Sequence, residues 1–386
     1  MIIKNGNLFC EDGEFRKTDI EIHDGIIKAI GENQTGNNQD IIDAQNCYVV
    51  PGLVDIHTHG SVGADFSDGT EESIEKIAKF QLKNGITSFL GTTMSLPEDQ
   101  LTKICKTSAP FVCADFNDRA VLQGIHLEGP FFSQSKRGAQ NSEYIIDPDY
   151  DMFERLYEAS NETVRIIAAA PELEGGLDFI KMASLTCKVS LGHSSTDYET
   201  ACCAYLGGAN HATHLFNGMN PFNHREPGII GAASDFDAYV ELIVDGVHIH
   251  PSVVRAVFKL FREDRVCIIS DSMRACGLAD GRYDLGGQIV TVVGKEARVG
   301  DGALAGSVTT LMGCLRNAVE FGVPLSKALK ASTINPAASV GLDKTVGSLA
   351  AGKRADILVL DKELNIEQII FNGRKLSSAS DYRKNL

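Results

Sequence analysis

The side chains in this sequence that could do chemistry are imidazoles and carboxylates placed at the ends of apolar runs. His57 and His59 close the segment Pro51-Gly-Leu-Val-Asp-Ile-His-Thr-His59. Residues two apart on a strand share a face, so both imidazoles can turn toward one ion. Glu128 ends His126-Leu-Glu128 just before Gly129-Pro130, His193 ends Leu191-Gly-His193, and His214 follows His211-Ala-Thr213. A carboxylate and two neutral nitrogen donors from three elements, with a coordination position left open, is how a catalytic divalent metal is held. Asp271 ends another apolar run, where an isolated acid serves either as a helix N-cap or, beside the other groups, as a general base or metal ligand. The second reading is preferred because Asp271 joins the other residues that end strands. His126 reads as standing behind the ligands, for example orienting Glu128. His211 reads as packed or hydrogen-bonded, and His23 and His250 as structural or exposed.

These residues need a scaffold that brings the ends of many strands to one mouth. Eight apolar runs alternate with helical segments: Leu53 to His59, Ser88 to Thr93, Val121 to Glu128, Val164 to Ala170, Cys187 to His193, Ala209 to Leu215, Tyr239 to Asp245 and Val266 to Asp271. That alternation predicts parallel βα units, and eight of them fit a closed (β/α)8 barrel whose active site lies at the strand C-termini. An open doubly wound sheet would carry a Gly-rich dinucleotide turn after its first strand, and none is present. The expected barrel spans residues 51–346, with a β insertion near 282–306 that could lie over the mouth and a helix at about Thr309 to Phe321. Turn dipeptides such as Asn5-Gly6, Asp12-Gly13 and Asp24-Gly25 predict hairpins over residues 1–50, and residues 347–386 look similar. Neither end has enough strands to be stable alone, so the two are expected to form one small β-sandwich domain.

Length and composition bound the rest. The chain has 386 residues, 43% of them hydrophobic and 23% charged, which suits one large barrel of about 250 residues with a smaller attachment. A net charge of −15 argues against nucleic acid or an anionic membrane surface as a partner. No apolar stretch approaches the ~18 residues of a membrane span and the start lacks a signal-peptide core, so a cytoplasmic location is expected. The ten cysteines show no CxxC spacing and are expected to be reduced thiols.

Taken together, these motifs resemble the amidohydrolase superfamily and, within it, the N-acetylglucosamine-6-phosphate deacetylase family. The resemblance covers nearly the whole chain. It rests on Pro51 to Gly60, His126-Leu-Glu-Gly-Pro-Phe131, Leu191-Gly-His-Ser194 and Ala212-Thr-His-Leu-Phe-Asn-Gly-Met219. It extends over Arg225-Glu-Pro-Gly228, Asp245-Gly-Val-His248, Gly277 to Gly287, Leu304-Ala-Gly-Ser307 and Gly352 to Ile357. It implies hydrolytic deacetylation of N-acetylglucosamine 6-phosphate to glucosamine 6-phosphate and acetate. Glu128, His193 and His214 would hold the principal metal, and Asp271 would be the catalytic base and acid. His248 and Arg225 would meet the phosphate, with further substrate contacts from the Asn217-Gly218 backbone and the loop around Leu304. It also implies a homodimer whose phosphate pocket borrows a residue from the neighbouring subunit.

Two variations within that family matter here. The chain retains His57 and His59, so a second ion bridged by Glu128 is possible, giving one or two divalent ions per subunit. Nitrogen and carboxylate ligands suit Zn, Fe(II), Mn, Co or Ni. Gln140 stands where many relatives have a histidine; it can donate a hydrogen bond to substrate but carries no charge. The competing readings are a deacetylase of the galactosamine epimer, another amidohydrolase, and a barrel that serves only as a scaffold. The fourth strand ends Ala168-Ala-Ala-Pro171, without the lysine that many two-metal amidohydrolases carboxylate.

Overall fold

The computed structural model describes residues 1–32 and 41–376; the remainder of the expected tail, 377–386, lies outside them. Eight parallel strands form one sheet in strict chain order: β1 Leu53–Thr58, β2 Ile86–Thr92, β3 Val121–Glu128, β4 Val164–Ala169, β5 Lys188–Leu191, β6 His211–Ala212, β7 Tyr239–Ile243 and β8 Val266–Ile269. The last strand returns to the first. The Asp271 amide donates to His57 O at 2.9 Å and Thr58 bridges Ser272 in parallel, which closes the barrel just beyond the strand ends.

Alternation within the strands sets which residues reach the interior. On β3, Ile125 and Leu127 pack outward into the main core while His126 and Glu128 face inward; on β7, Val240 and Leu242 pack outward and Glu241 faces inward. The surrounding helices bury matching stripes. The helix Glu71–Lys83 starts at Thr70, whose side chain accepts from the Ser73 amide, and buries Ile74, Ile77, Ala78, Gln81 and Leu82. At the end of the barrel away from the histidines, helix Ile334–Ser339 acts as a plug. Asn335 donates to Glu263 O and Val266 O, and Ala337 packs with Val54, Ile56, Leu90, Ile166, Ile243 and Ile269.

The sixth strand is shorter than the sequence predicts. Pairing stops at Ala212 because the chain turns left-handed at His214, with φ 28°, and again at Phe216, with φ 78°. His193 (φ 46°) and Asp271 (φ 47°) likewise leave strand geometry immediately after β5 and β8.

Extra sheets form a second domain. A six-stranded sheet combines Asn7–Phe9, Phe15–Lys17 and Tyr48–Pro51 with Ile357–Leu360, Ile366–Phe371 and Arg374–Lys375 from the other end of the chain. A four-stranded sheet of Ile2–Lys4, Asp19–His23, Ile26–Gly31 and Ile41–Asp43 packs against it through Ile3, Ile20, Ile22, Ile27, Val49, Ile357 and Ile370. After β8 a three-stranded antiparallel sheet, Gly281–Leu285, Gln288–Val293 and Glu296–Val299, extends toward the barrel mouth.

Candidate metal centre and active site

A cavity of about 320 Å³ opens at the C-terminal ends of the strands. His59, Glu128, Gln140, His193, His214, Asn217, Gly218, His248, Asp271 and Leu304 all line it, so most of the residues singled out in the sequence meet in one place. Leu285 and the segment Ala303–Gly306, which borders the inserted sheet, form part of its wall.

Glu128 lies at the centre. Its Oε1 is 2.9 Å from His214 Nε2, 3.3 Å from His193 Nε2 and 3.5 Å from His57 Nε2; its Oε2 is 3.3 Å from His59 Nε2. Asp271 Oδ1 stands opposite, 3.5 Å from His57 Nε2 and 3.3 Å from His59 Nε2. Glu128, His193 and His214 form one cluster whose ligand atoms all lie within 4.8 Å of one another, and His57, His59 and Glu128 form a second.

Proton placement tests whether this cluster fits a cation. His193 Nδ1 sits 2.8 Å from the Lys136 carbonyl, which can only accept, so a neutral His193 carries its proton there. Its Nε2 then presents a lone pair toward Glu128 Oε1 and toward His214 Nε2, 3.0 Å away. Acceptors turned on one another inside a buried site call for a cation between them, and the donor set is the nitrogen and carboxylate mixture that suits a divalent metal.

The electrostatics point the same way. Burial raises the Glu128 and Asp271 carboxyls, but the surrounding histidines outweigh it, so both end below their ordinary range. Burial disfavours charged His57, yet Asp271, Glu241 and Glu128 pull its pKa up to about 9, and His59 is raised well above normal by Asp271 and Glu128. Among the described residues lining the cavity there is no lysine or arginine. On the far wall His248 Nδ1 lies 2.7 Å from Asp245 Oδ2 and its Nε2 lies 2.9 Å from Ala305 O, so both ring nitrogens meet acceptors. Burial opposes a charge on the ring, but the Asp245 carboxylate outweighs it and raises the pKa.

Gln140 is anchored at the cavity wall: one Nε2 proton goes to Glu128 Oε2 at 2.7 Å and its Oε1 accepts from the Ser95 amide at 2.7 Å, so it fixes Glu128 and keeps its second amide proton for a further acceptor. Two expectations need correction. His126 does not orient Glu128, because its Nδ1 donates to Ile56 O at 3.1 Å and the nearer carboxylate is Glu241. Arg225 does not reach the cavity of its own chain. It is exposed, meets the His224 ring at 2.7 Å and lines a separate groove with Tyr198, Asn223 and Glu226. His211 is packed, with Nδ1 on Asn210 Oδ1; His23 pairs with Asp24 on the surface, and His250 caps the helix Pro251–Leu260.

Glu241 escaped the sequence reading. It is fully buried beside His57, and the signal was available as a carboxylate inside the apolar run Tyr239-Val-Glu-Leu-Ile-Val244.

The model of the amidohydrolase family matches residues 48–377. The chain belongs to this family. Within it, the chain is 34% identical to a Lysinibacillus sphaericus N-acetylglucosamine-6-phosphate deacetylase over 377 residues, covering 97% of both sequences. It is also 34% identical to an N-acetylgalactosamine-6-phosphate deacetylase of Escherichia coli O157:H7, covering 97% of this chain and 99% of that one. Among solved structures it superposes, with a TM-score of 0.91 and 32% identity, on a mutant of the Mycobacterium smegmatis N-acetyl-D-glucosamine-6-phosphate deacetylase in complex with N-acetyl-D-glucosamine-6-phosphate. That match covers 97% of this chain and 98% of the other. Family membership and the histidine–glutamate clusters together indicate a divalent metal.

Proposed function

We propose that this amidohydrolase hydrolyses the amide of N-acetylglucosamine 6-phosphate to glucosamine 6-phosphate and acetate. The observation that carries the reading is the convergence of Glu128, His193 and His214 on one side of a cavity with Asp271 at its edge. Glu128, His193 and His214 would hold the principal ion, Zn, Fe(II), Mn, Co or Ni. A bound divalent ion would supply Lewis acidity and a water ionisable near neutral pH.

The residues of the chain do the remainder. Asp271, kept ionised by the imidazoles around it, takes a proton from the attacking water as oxygen bonds to the acetyl carbon. It then returns that proton to the amine nitrogen as the C–N bond breaks, since an unprotonated amine is a poor leaving group. Gln140 holds Glu128 in place throughout. The Asn217-Gly218 backbone and Leu304 would shape the sugar site, with His248 on the phosphate side. One histidine is a weak match for a doubly charged phosphate. The proposal therefore includes a homodimer in which the partner subunit's Arg225, a planar fork of donors, completes the anion site.

The E. coli relative supports a second reading, in which the galactosamine epimer is the substrate. Acetate release from both phosphorylated sugars and from their unphosphorylated forms, on protein whose metal is counted before and after chelation, decides between them. Rapid turnover that needs both metal and phosphate is expected. Metal-loaded protein that releases no acetate from either phosphorylated sugar would sink the proposal.

A further inference from the structure

The proposed chemistry has no use for Glu241, although it is among the most buried charged side chains in the barrel. It sits at mid-strand on β7, with its neighbours Val240 and Leu242 facing the outer core. Placing a carboxylate there is costly unless it is paired. Its Oε2 accepts from His57 Nδ1 at 2.9 Å and from the His214 backbone amide at 3.3 Å. Its Oε1 has no hydrogen-bond partner, and no lysine or arginine forms an ion pair with it among the described residues.

The bond to His57 has a definite consequence. A carboxylate oxygen can only accept, so a neutral His57 carries its proton on Nδ1 and presents a lone pair at Nε2. That Nε2 has no hydrogen-bond partner and stands 3.5 Å from both Glu128 Oε1 and Asp271 Oδ1. The ring is also held edge-on by His126, with centroids 4.6 Å apart and planes 66° apart. His126 in turn is fixed by its bond to Ile56 O. The neutral ring is thus locked in position and tautomer, and its Nε2 faces two carboxylate oxygens across a gap that only a proton or a metal cation can bridge.

We propose that Glu241 is a positioning residue that commits His57 Nε2, together with His59 Nε2, to a second divalent cation beside the one assigned to Glu128, His193 and His214. The backbone bond from His214 to the same carboxylate ties the two halves of the centre together. The inference rests on the metal-centre part of the proposed function, not on the identity of the sugar.

The test is a metal count on full-length protein stripped with chelator, reloaded with Zn²⁺ and desalted, with affinities from calorimetric titration. Wild type, Glu241→Gln and Glu241→Ala are compared, and the melting of each stripped protein is recorded. Wild type is expected to bind two ions per chain. Glu241→Gln keeps an acceptor for His57 Nδ1 but loses the charge, and should bind one of the two ions about 10–100-fold more weakly. Glu241→Ala should retain one ion. A single ion in wild type overturns the proposal, as do two ions bound at wild-type affinity by both variants. If the alanine variant does not fold, the glutamine variant decides alone: unchanged affinities, or equal weakening of both ions, overturn the proposal. Acetate release on the same samples separates the two claims, because a wild type that binds two ions yet deacetylates neither sugar would uphold Glu241 and reject the deacetylase.

Discussion

Asp271 occupies an unusual position for a carboxylate. It is 6% exposed, its backbone is left-handed at φ 47°, and its amide is committed to His57 O. Strain of this kind outside glycine is sparsely populated and clusters where function demands a particular side-chain direction. Asp271→Asn preserves shape while removing the proton acceptor. It should lower turnover by roughly 10²–10⁴ with the ion assigned to Glu128, His193 and His214 retained, and a variant that keeps its rate would remove Asp271 from the proton-transfer role. The convergence of these residues was legible from strand ends alone. What escaped was contact between side chains: nothing in the spacing of Gln140 reveals that its amide bridges Glu128 and the Ser95 amide. Glu241 escaped for a different reason, since the motifs lie at strand ends and its strand carries it one turn of the pleat deeper.

At the level of elements, strand order and approximate positions followed from apolar alternation, while the exact ends did not. Periodicity reports where side chains point but carries no information on where a backbone leaves β geometry, and here His193, His214 and Asp271 do so just past the last paired residue. Such turns need tolerant neighbours. Gly218 has φ 58°, and a Cβ there would sit 3.0 Å from His193 Nδ1 and 3.2 Å from Lys136 O. These are the two atoms whose hydrogen bond orients His193. Gly218→Ala should therefore cost about 1–2 kcal/mol in left-handed strain and also weaken metal binding by disturbing that bond. Denaturant unfolding and metal titration of the variant check this; stability and affinity both equal to wild type would contradict it.

On the scale of the molecule, the loops above the barrel are stapled by Arg274. Its guanidinium donates to Asp68 Oδ1 at 2.6 Å, to Gly63 O at 3.0 Å and to Asp284 O at 3.2 Å, joining the loop after β1 to the inserted sheet. Burial raises the Asp68 carboxyl, but Arg274, the Asp65 amide and Ser73 outweigh it, and its pKa is lowered in the folded state. A depressed carboxylate stabilises the fold above its unfolded pKa, near 4, and loses that contribution as pH falls through the lower folded value. Wild type should thus exceed Arg274→Gln in stability by a constant margin from neutral pH to about pH 4, with the margin shrinking below. Denaturant melts across that range measure it, and a margin that grows on acidification would contradict the assignment. The pairing of both chain ends in one domain followed from neither end having enough strands, whereas the plug formed by Ile334–Ser339 has no sequence motif to announce it.

That shared sheet has a consequence for synthesis. Tyr48–Pro51 pairs antiparallel with Ile357–Leu360, Pro51 opposite Ile357 and Tyr48 opposite Leu360. A strand made before the barrel must wait for a partner made after it. The N-terminal hairpins therefore leave the ribosome with an unpaired edge that persists while eight βα units are completed. Such edges invite pairing between chains. The exposure of that edge ends only when the last strands of the small domain arrive, and the barrel is the length of chain that separates the two partners.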